Sequence, residues 1–544
     1  MSNELKTIDL KNRDERASLA LITKEVDTLY WFLPDIELNV KLNIIKNPLF
    51  DRDMLDRSKY LEFDIYEIKD ALLKTNLLHE HERAKIKKEV DILKKEKTKN
   101  DKILEAFCPL PWNHLGIKTN GDTRICCQMI YKPFGDLGVN VKDIKDINDV
   151  RNLPPVKLVR KQMLQGIKPK LCKLCWTEEK SDLKSKRIHQ NIIYPDALSQ
   201  AERYTNHNGE IDTKNIPLNY FDLRLGNKCN LACRSCGPTE SNLWYKDYWT
   251  QGHRSIQVSD GLRQQEYELK EEDGQITINS NDFDWPDNTT FLNQILDSCN
   301  NIDRIYFTGG EPTINHAHIQ FLQKLVDYSK SQDIFLEYNS NGMAMPESLL
   351  NIWPKFKGVG IGFSIDGMEE KFEYLRYPGK WNKFIRTITK LHTYHKSGNS
   401  VQVAIAPTIS IYNCLHMLDL YNFILYSTPP WFGKTMPIHV LESPAYMSPK
   451  ILPNHAKLQI KTQYYDWIKK LQLKGNLPGI RFGRSNNFKK IAINNMTNLI
   501  HYIDQTFPDP DQLLTDFYTN TENKDKQRNQ NWKEVFPELV DVLS

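Results

Sequence analysis

The sequence predicts an α/β protein: a partial (β/α)6 barrel with a small cysteine-rich module before it and helical extensions at both ends. Three observations carry this reading. From about Pro217 onward, short β-branched or aromatic runs alternate with helical stretches, the pattern of parallel βαβ units. Five cysteines gather between residues 107 and 187 in turn-rich sequence that buries little apolar surface by itself. The first hundred and last hundred residues carry helical periodicity and many charges.

Four regions follow from these patterns. Residues 1–105 form a charged helical N-terminal region, in which Ile86, Val90 and Leu93 fall at i, i+4 and i+7. Its lysines, Lys85, Lys87, Lys88, Lys94, Lys95, Lys97 and Lys99, read as a solvated helix face rather than a docking patch. Residues 106–190 are the cysteine-rich module. Residues 217–445 are the barrel, with strands expected at Tyr220–Leu225, Arg304–Thr308, Ile334–Tyr338, Val359–Ile365, Val401–Thr408 and Ile438–Leu441. Six strands in roughly 230 residues suit a partial barrel better than a closed eight-fold one. The stretch 240–300 is too long for a crossover and reads as a polar insertion at the barrel mouth. Residues 446–544 are helical again.

Composition narrows the function. The 544 residues carry 73 Lys+Arg against 69 Asp+Glu, a formal charge of +4, which excludes a strongly basic nucleic-acid-coating protein. No apolar run approaches the ~20 residues that span a bilayer, so no membrane partner is expected. The N-terminus has charges where a signal peptide is apolar, and a cytoplasmic location is expected. Ten cysteines in such a chain point to metal or redox chemistry rather than disulfides.

The sharpest motif is LRLGNKCNLACRSCGP, which sets Cys229, Cys233 and Cys236 in a C-x3-C-x2-C pattern directly after the first barrel strand. Structural zinc takes four protein ligands, and no fourth Cys or His stands nearby. Three thiolates suit a [4Fe–4S] cluster with one iron open to a non-protein ligand. Position agrees, since barrel active sites lie at the C-terminal ends of the strands.

At these residues the chain resembles the radical S-adenosylmethionine (SAM) superfamily. The resemblance implies a SAM-binding [4Fe–4S] cluster whose open iron chelates SAM, reductive cleavage to a 5′-deoxyadenosyl radical, and hydrogen abstraction from a substrate. Further segments extend it. RIYFTGGEP places Gly309, Gly310 and Glu311 like the superfamily's GGEP; EYNSNG makes Asn341 a candidate polar contact; and GFSIDG gives Ser364, with Asp366 beside it, the place that faces SAM. Arg376, in EYLRYPGKW, resembles the arginine that pairs with the SAM carboxylate, and Asn413 is a weaker candidate. Ser235 departs from the family, which usually has an aromatic residue there packing near the adenine. No residue reads as a catalytic acid or base.

The earlier cysteines resemble the twitch module, a shortened SPASM domain that holds an auxiliary [4Fe–4S] cluster. The resemblance implies Cys108, Cys126, Cys172 and Cys175 as ligands, with Cys127 either a spare thiol or the true ligand in place of Cys126. CPLPWNHLGIKTNGDTRICC reads as the module's hairpin, turning at Asn120-Gly121. A four-cysteine zinc knuckle satisfies the same pairs. The family usually carries this module after the barrel, whereas here it comes first. Cys299 and Cys414 are expected to be core residues, and His114 and His189 ordinary polar ones.

The whole resembles a twitch domain-containing radical SAM protein, a type often encoded by bacteriophages. That implies an oxidoreductase-type enzyme whose partners are SAM, a substrate that is a peptide or protein, and a flavodoxin- or ferredoxin-type electron donor. The alternatives are radical modification of a nucleotide, RNA or small molecule, and a non-catalytic zinc scaffold.

Overall fold

The computed structural model describes Leu73 and residues 80–129, 137–180, 184–258, 265–287, 289–298 and 301–544. The chain divides into two compact units, Met1–Ala106 with Gln165–Ile167, and Phe107–Leu164 with Lys168–Ser544. In the first, one helix runs from Glu80 to Ala106; it buries Ile86 and Val90 and exposes Lys85, Lys87 and Lys88. Most of the expected N-terminal region, the side chains of Leu93, Lys94, Lys95, Lys97 and Lys99, and Cys299 lie outside the described residues.

The second unit is built on a seven-stranded sheet. In chain order its strands are β1 (His114–Ile117), β2 (Thr123–Arg124), β3 (Tyr220–Leu223), β7 (Arg304–Phe307), β8 (Phe335–Ser340), β9 (Gly358–Phe363) and β10 (Gln402–Ile405). The spatial order is β10-β9-β8-β7-β3-β1-β2, parallel throughout except for the β1–β2 hairpin. Alternate residues of β7, β8 and β9 are fully buried and partly open. A parallel sheet covered on both faces would be apolar throughout, so this alternation marks one face packed under helices and one lining a concavity. The packed face holds Phe307, whose ring lies 6.4 Å from Phe321 of the helix His316–Asp327, and Phe363, 5.5 Å from Phe384 of the helix Trp381–Lys396.

Two departures from the expected barrel have physical causes. The sixth expected strand forms as β12 (His439–Val440), but it pairs with β11 (Thr408–Ile409) in a separate two-stranded sheet. Pro407 stands between β10 and β11; with no N–H it cannot carry the ladder across, and the strand breaks there. On the opposite edge the sheet is longer than expected, because β1 of the cysteine module joins β3 in parallel, with His114 opposite Tyr220 and Ile117 opposite Leu223. The module's hairpin turns where Asn120-Gly121 predicted, with Gly121 at φ +82°.

The insertion is ordered rather than merely polar. Ser255–Val258, Gln265–Glu272 and Gln275–Ile278 (β4, β5 and β6) form an antiparallel meander, closing at Asp273-Gly274, where both residues have positive φ. Tyr267 and Leu269 alternate inward to a small core with Tyr245, Ile256, Val258 and Phe283. The C-terminal region is helical as expected, over Asn454–Leu473, Phe482–Ile503, Pro510–Arg528 and two short closing helices. No described helix is long and apolar enough to cross a membrane.

His318, fully buried beneath Phe307, has its ring Nδ1 2.9 Å from the Pro312 carbonyl and its Nε2 3.1 Å from the Tyr338 hydroxyl. A neutral imidazole meets both as donor and acceptor, and burial lowers its pKa from 6.5 to about 4. Between those values the unfolded chain binds a proton that the folded one refuses, so stability is present above 6.5 and lost as pH falls toward 4. His318→Gln is expected to remove that part of the acid sensitivity, about 2 kcal/mol between pH 7 and pH 5, as read by denaturant titration at the two pH values.

Candidate functional site

The chain leaves β3 through Arg224 and Leu225 and turns at Gly226, where φ is +80° and a Cβ would stand 2.5 Å from the Phe283 carbonyl oxygen. The loop that follows carries Cys229, Cys233 and Cys236. Backbone bonds fix it from several sides. The Cys229 N–H donates to Asn242 Oδ1 (3.0 Å), Ala232 N–H to the Tyr377 carbonyl (2.6 Å), Arg234 N–H to the Leu375 carbonyl (2.8 Å), and Cys236 N–H to the Cys233 carbonyl (3.0 Å). From the Gly-Gly-Glu-Pro turn after β7, Glu311 N–H donates to the Lys228 carbonyl at 2.9 Å and Gly310 N–H to the Glu240 carbonyl at 3.0 Å. Both glycines are required by geometry. Gly309 has φ +75° with a would-be Cβ 2.5 Å from Arg224 Cβ, and Gly310 has φ +57° with one 2.4 Å from the Lys228 oxygen.

The three thiols are buried or half-buried, and burial pushes all of them up, Cys229 to about 12. Cys233 adds to the rise at Cys229 and Cys236, because neighbouring thiolates repel. Such a trio ionises together only beside a cation, which is the donor chemistry of a metal cluster. Among the described residues, no three His, Cys, Asp or Glu side chains surround a point where one lone ion would sit. A cluster, which takes each thiolate at a separate iron, does not require that. The donor set therefore fits a [4Fe–4S] cluster with one iron left over.

The other expected site residues gather around this loop, with some altered partners. Glu311 is 2% exposed and acts as a strut. Its Oε1 accepts from Thr313 N–H (3.1 Å), Thr313 Oγ1 (2.7 Å) and Ser340 Oγ (2.9 Å), and its Oε2 from Asn341 N–H (2.7 Å). Asn341 Nδ2 donates to Asn230 Oδ1 at 2.7 Å, within the cysteine loop. Ser364 follows β9, its N–H donating to the Ser340 carbonyl. Arg376 lies between Asp366 and the cysteine loop. Its Nη2 donates to Asp366 Oδ1 (2.9 Å), its Nε lies 2.7 Å from Asp366 Oδ2, and its Nη1 points to Cys233 Sγ at 3.7 Å. The fork expected for a SAM carboxylate is thus engaged by Asp366. Asn413 is buried, donating to the carbonyls of Asp366 and Thr408, which makes it a brace of that pair.

The module's cysteines meet at a second place. Cys108, Cys126, Cys172 and Cys175 line one small cavity with Ile125, Met129, Met163 and Arg187. Burial pushes Cys108 up to about 12 and Cys175 to about 11, and Cys172 well above its usual value. Cys127 does not line that cavity. Its Sγ accepts from Lys186 Nζ at 3.1 Å, and Lys186 in turn sits 5.6 Å from the Tyr220 ring and 5.4 Å from the Tyr306 ring. A hydrogen bond with Cys126 and the Lys186 charge hold the Cys127 thiol below the usual range, whereas Cys126 is raised. His114 is buried and lowered to about 4, its Nδ1 2.7 Å from the Ile125 carbonyl; Cys414 is a core residue, as expected. Sequence reasoning missed Lys186, whose only signal was its place in a basic run.

Gly310→Ala is expected to cost about 2 kcal/mol or more through the strained φ and the clash with Lys228. Gly237→Ala, whose added Cβ meets nothing within 4 Å, leaves stability near wild type. Thermal melts of the two variants, made side by side, check the contrast.

Comparison with known proteins adds to this geometry. Residues 223–408 match the model of the Radical SAM superfamily. No curated protein matches the sequence. Among solved structures, "Native anSMEcpe with bound AdoMet and Cp18Cys peptide" is 15% identical with a TM-score of 0.30, over 47% of this chain and 61% of that one. The chain thus spans about three fifths of the length of that structure. Streptococcus suis SuiB bound to S-adenosylmethionine is 11% identical with a TM-score of 0.28, over 61% of this chain and 66% of that one. SuiB bound to its precursor peptide SuiA gives the same figures. At these scores the likeness carries no argument about substrate or site. The matched stretch runs from the end of β3 to the start of β11 and holds the C-x3-C-x2-C loop and the Gly-Gly-Glu-Pro turn.

Proposed function

We propose that this protein is a radical SAM enzyme that modifies a peptide or protein, with a second cluster in its N-terminal module. The observation that carries the reading is the cysteine loop after β3, with Cys233 buried and Cys229 and Cys236 half-buried, whose flanks at Lys228 and Glu240 accept backbone N–H groups from the Gly-Gly-Glu-Pro turn. Cys229, Cys233 and Cys236 would hold the SAM-binding [4Fe–4S] cluster. Such a cluster would supply the one electron that cleaves SAM to methionine and a 5′-deoxyadenosyl radical able to abstract hydrogen from a substrate.

The chain's own residues orient and exclude. Gly309 and Gly310 let the turn press against the loop without side chains between them. Glu311 ties the ends of β7 and β8 together, which holds Asn341 on fixed backbone, and the Ser364 N–H bonds to the same strand end at the Ser340 carbonyl. Arg376, neutralised by Asp366, directs an N–H toward Cys233 and stabilises thiolate charge there. In the module, Cys108, Cys126, Cys172 and Cys175 would ligate the auxiliary cluster, whose role is to accept the substrate's electron. Its substrate class follows the SPASM and twitch resemblance, and reduction falls to a flavodoxin- or ferredoxin-type donor.

The test is anaerobic reconstitution with SAM and dithionite. Wild type forms 5′-deoxyadenosine, and Cys233→Ala forms none above background. Cys172→Ala keeps SAM cleavage but loses turnover of a substrate peptide; normal turnover there would contradict the electron-acceptor role. Zinc in place of iron, with no SAM affinity, would replace the enzyme by a metal-stabilised scaffold.

Alkylation of the iron-loaded protein separates the paired thiols. Iodoacetamide is expected to label Cys127 and spare Cys126, read by peptide mass mapping. Labelling of Cys126 instead would make Cys127 the ligand.

A further inference from the structure

Arg234 lies inside the C-x3-C-x2-C loop, one residue after Cys233, and its side chain leaves the loop for the C-terminal end of the chain. Its Nη2 donates to Asp525 Oδ1 and, at 3.0 Å, to Gln530 Oε1. Its guanidinium lies 3.7 Å from the centre of the Tyr374 ring. Asp525 sits near the end of the helix Pro510–Arg528 and is 6% exposed. It also accepts from the Tyr374 hydroxyl (2.8 Å) and the Trp532 N–H (2.6 Å), so its carboxylate joins three separate segments. One turn on, Arg528 grips Asp247 beyond the loop, with Nε and Nη2 at 3.0 and 2.7 Å from Oδ2. The C-terminal helix therefore grips the cysteine loop through one buried ion pair, 291 residues apart in sequence, and the helix just after the loop through a second, 281 apart.

A buried pair of this kind is a costly way to gain stability, because desolvation offsets much of the attraction, and removing one partner alone leaves a buried charge. Its electrostatic effect on a neighbouring redox group is direct and poorly screened by salt. We infer that Asp525 is a positioning residue for the SAM-binding cluster: it neutralises Arg234, the residue after Cys233, and anchors the loop to the C-terminal helix, and so sets the cluster's reduction potential as well as the loop's place. The inference rests on reading Cys229, Cys233 and Cys236 as the ligands of that cluster.

The sign is fixed by charge. Reduction adds a negative charge to the cluster, so an uncompensated cation nearby favours the reduced form and an uncompensated anion opposes it. Redox titration of the full-length, iron-loaded protein is followed through the cluster whose spectrum responds to SAM. Asp525→Asn is expected to shift its potential upward, because Arg234 is left unpaired. Arg234→Met is expected to shift it downward, because Asp525 remains. The double variant Arg234→Met/Asp525→Asn, which leaves no unpaired charge and removes the folding objection, returns close to wild type. A loop support acting only through packing would move both single variants the same way, or strip iron from all three, and either result overturns the inference. Wild type lacking any SAM-responsive cluster overturns the ligand reading and the inference together, and is distinguished by appearing before any variant is made.

Discussion

The site depends on one constraint: three thiols share a short loop in a place where none ionises easily without positive charge beside it. Everything nearby treats that loop as an object to be held. Lys228 and Glu240 take backbone N–H groups from the Gly-Gly-Glu-Pro turn, Leu375 and Tyr377 take them from the loop itself, and Asn242 caps Cys229. These are peptide groups of rigid elements, which costs little entropy at the moment a ligand arrives. The charged side chains act second. Arg376 and Asp366 neutralise each other before either meets a ligand, and Arg234 and Asp525 repeat that arrangement on the other side.

The same economy governs the module. By pairing β1 with β3 it needs no independent sheet, and its hairpin is a part of the barrel's own edge. Thr119 in the hairpin turn donates to the Thr239 carbonyl, just past Cys236, and stands against the Cβ side of Gly309. The cysteine module and the barrel loop are thus joined through backbone and small side chains. A module placed before the barrel in sequence still reaches the ends of its strands, because a parallel edge strand imposes direction as well as position.

Much of the barrel was legible because its signals are local. Strand β7 ends in Gly-Gly-Glu-Pro and β9 in Ser-Ile-Asp-Gly, each a β-branched or aromatic run closed by turn residues, and both formed where expected. The hairpin was legible for the same reason, through Asn120-Gly121. What escaped depends on partners distant in sequence. Arg376 reads as a free guanidinium until the fold brings Asp366 to it, and nothing in the sequence links Arg234 to Asp525. The break at Pro407 was visible as a residue but not as a boundary between two sheets, since which ladder loses an N–H depends on which strand lies alongside. The meander of the insertion was hidden by charge: β5 exposes most of its Glu and Lys, and only Tyr267 and Leu269 mark its inner face.

The central claim is that the loop of Cys229, Cys233 and Cys236 holds an iron–sulfur cluster with one iron open to SAM. It is tested most directly in a Cys108→Ala/Cys172→Ala variant, which leaves that loop as the remaining cluster site. Electron paramagnetic resonance of its reduced form, recorded with and without SAM, should show one [4Fe–4S] signal that changes when SAM is added. A protein that binds no iron, or a cluster signal indifferent to SAM, would contradict the account.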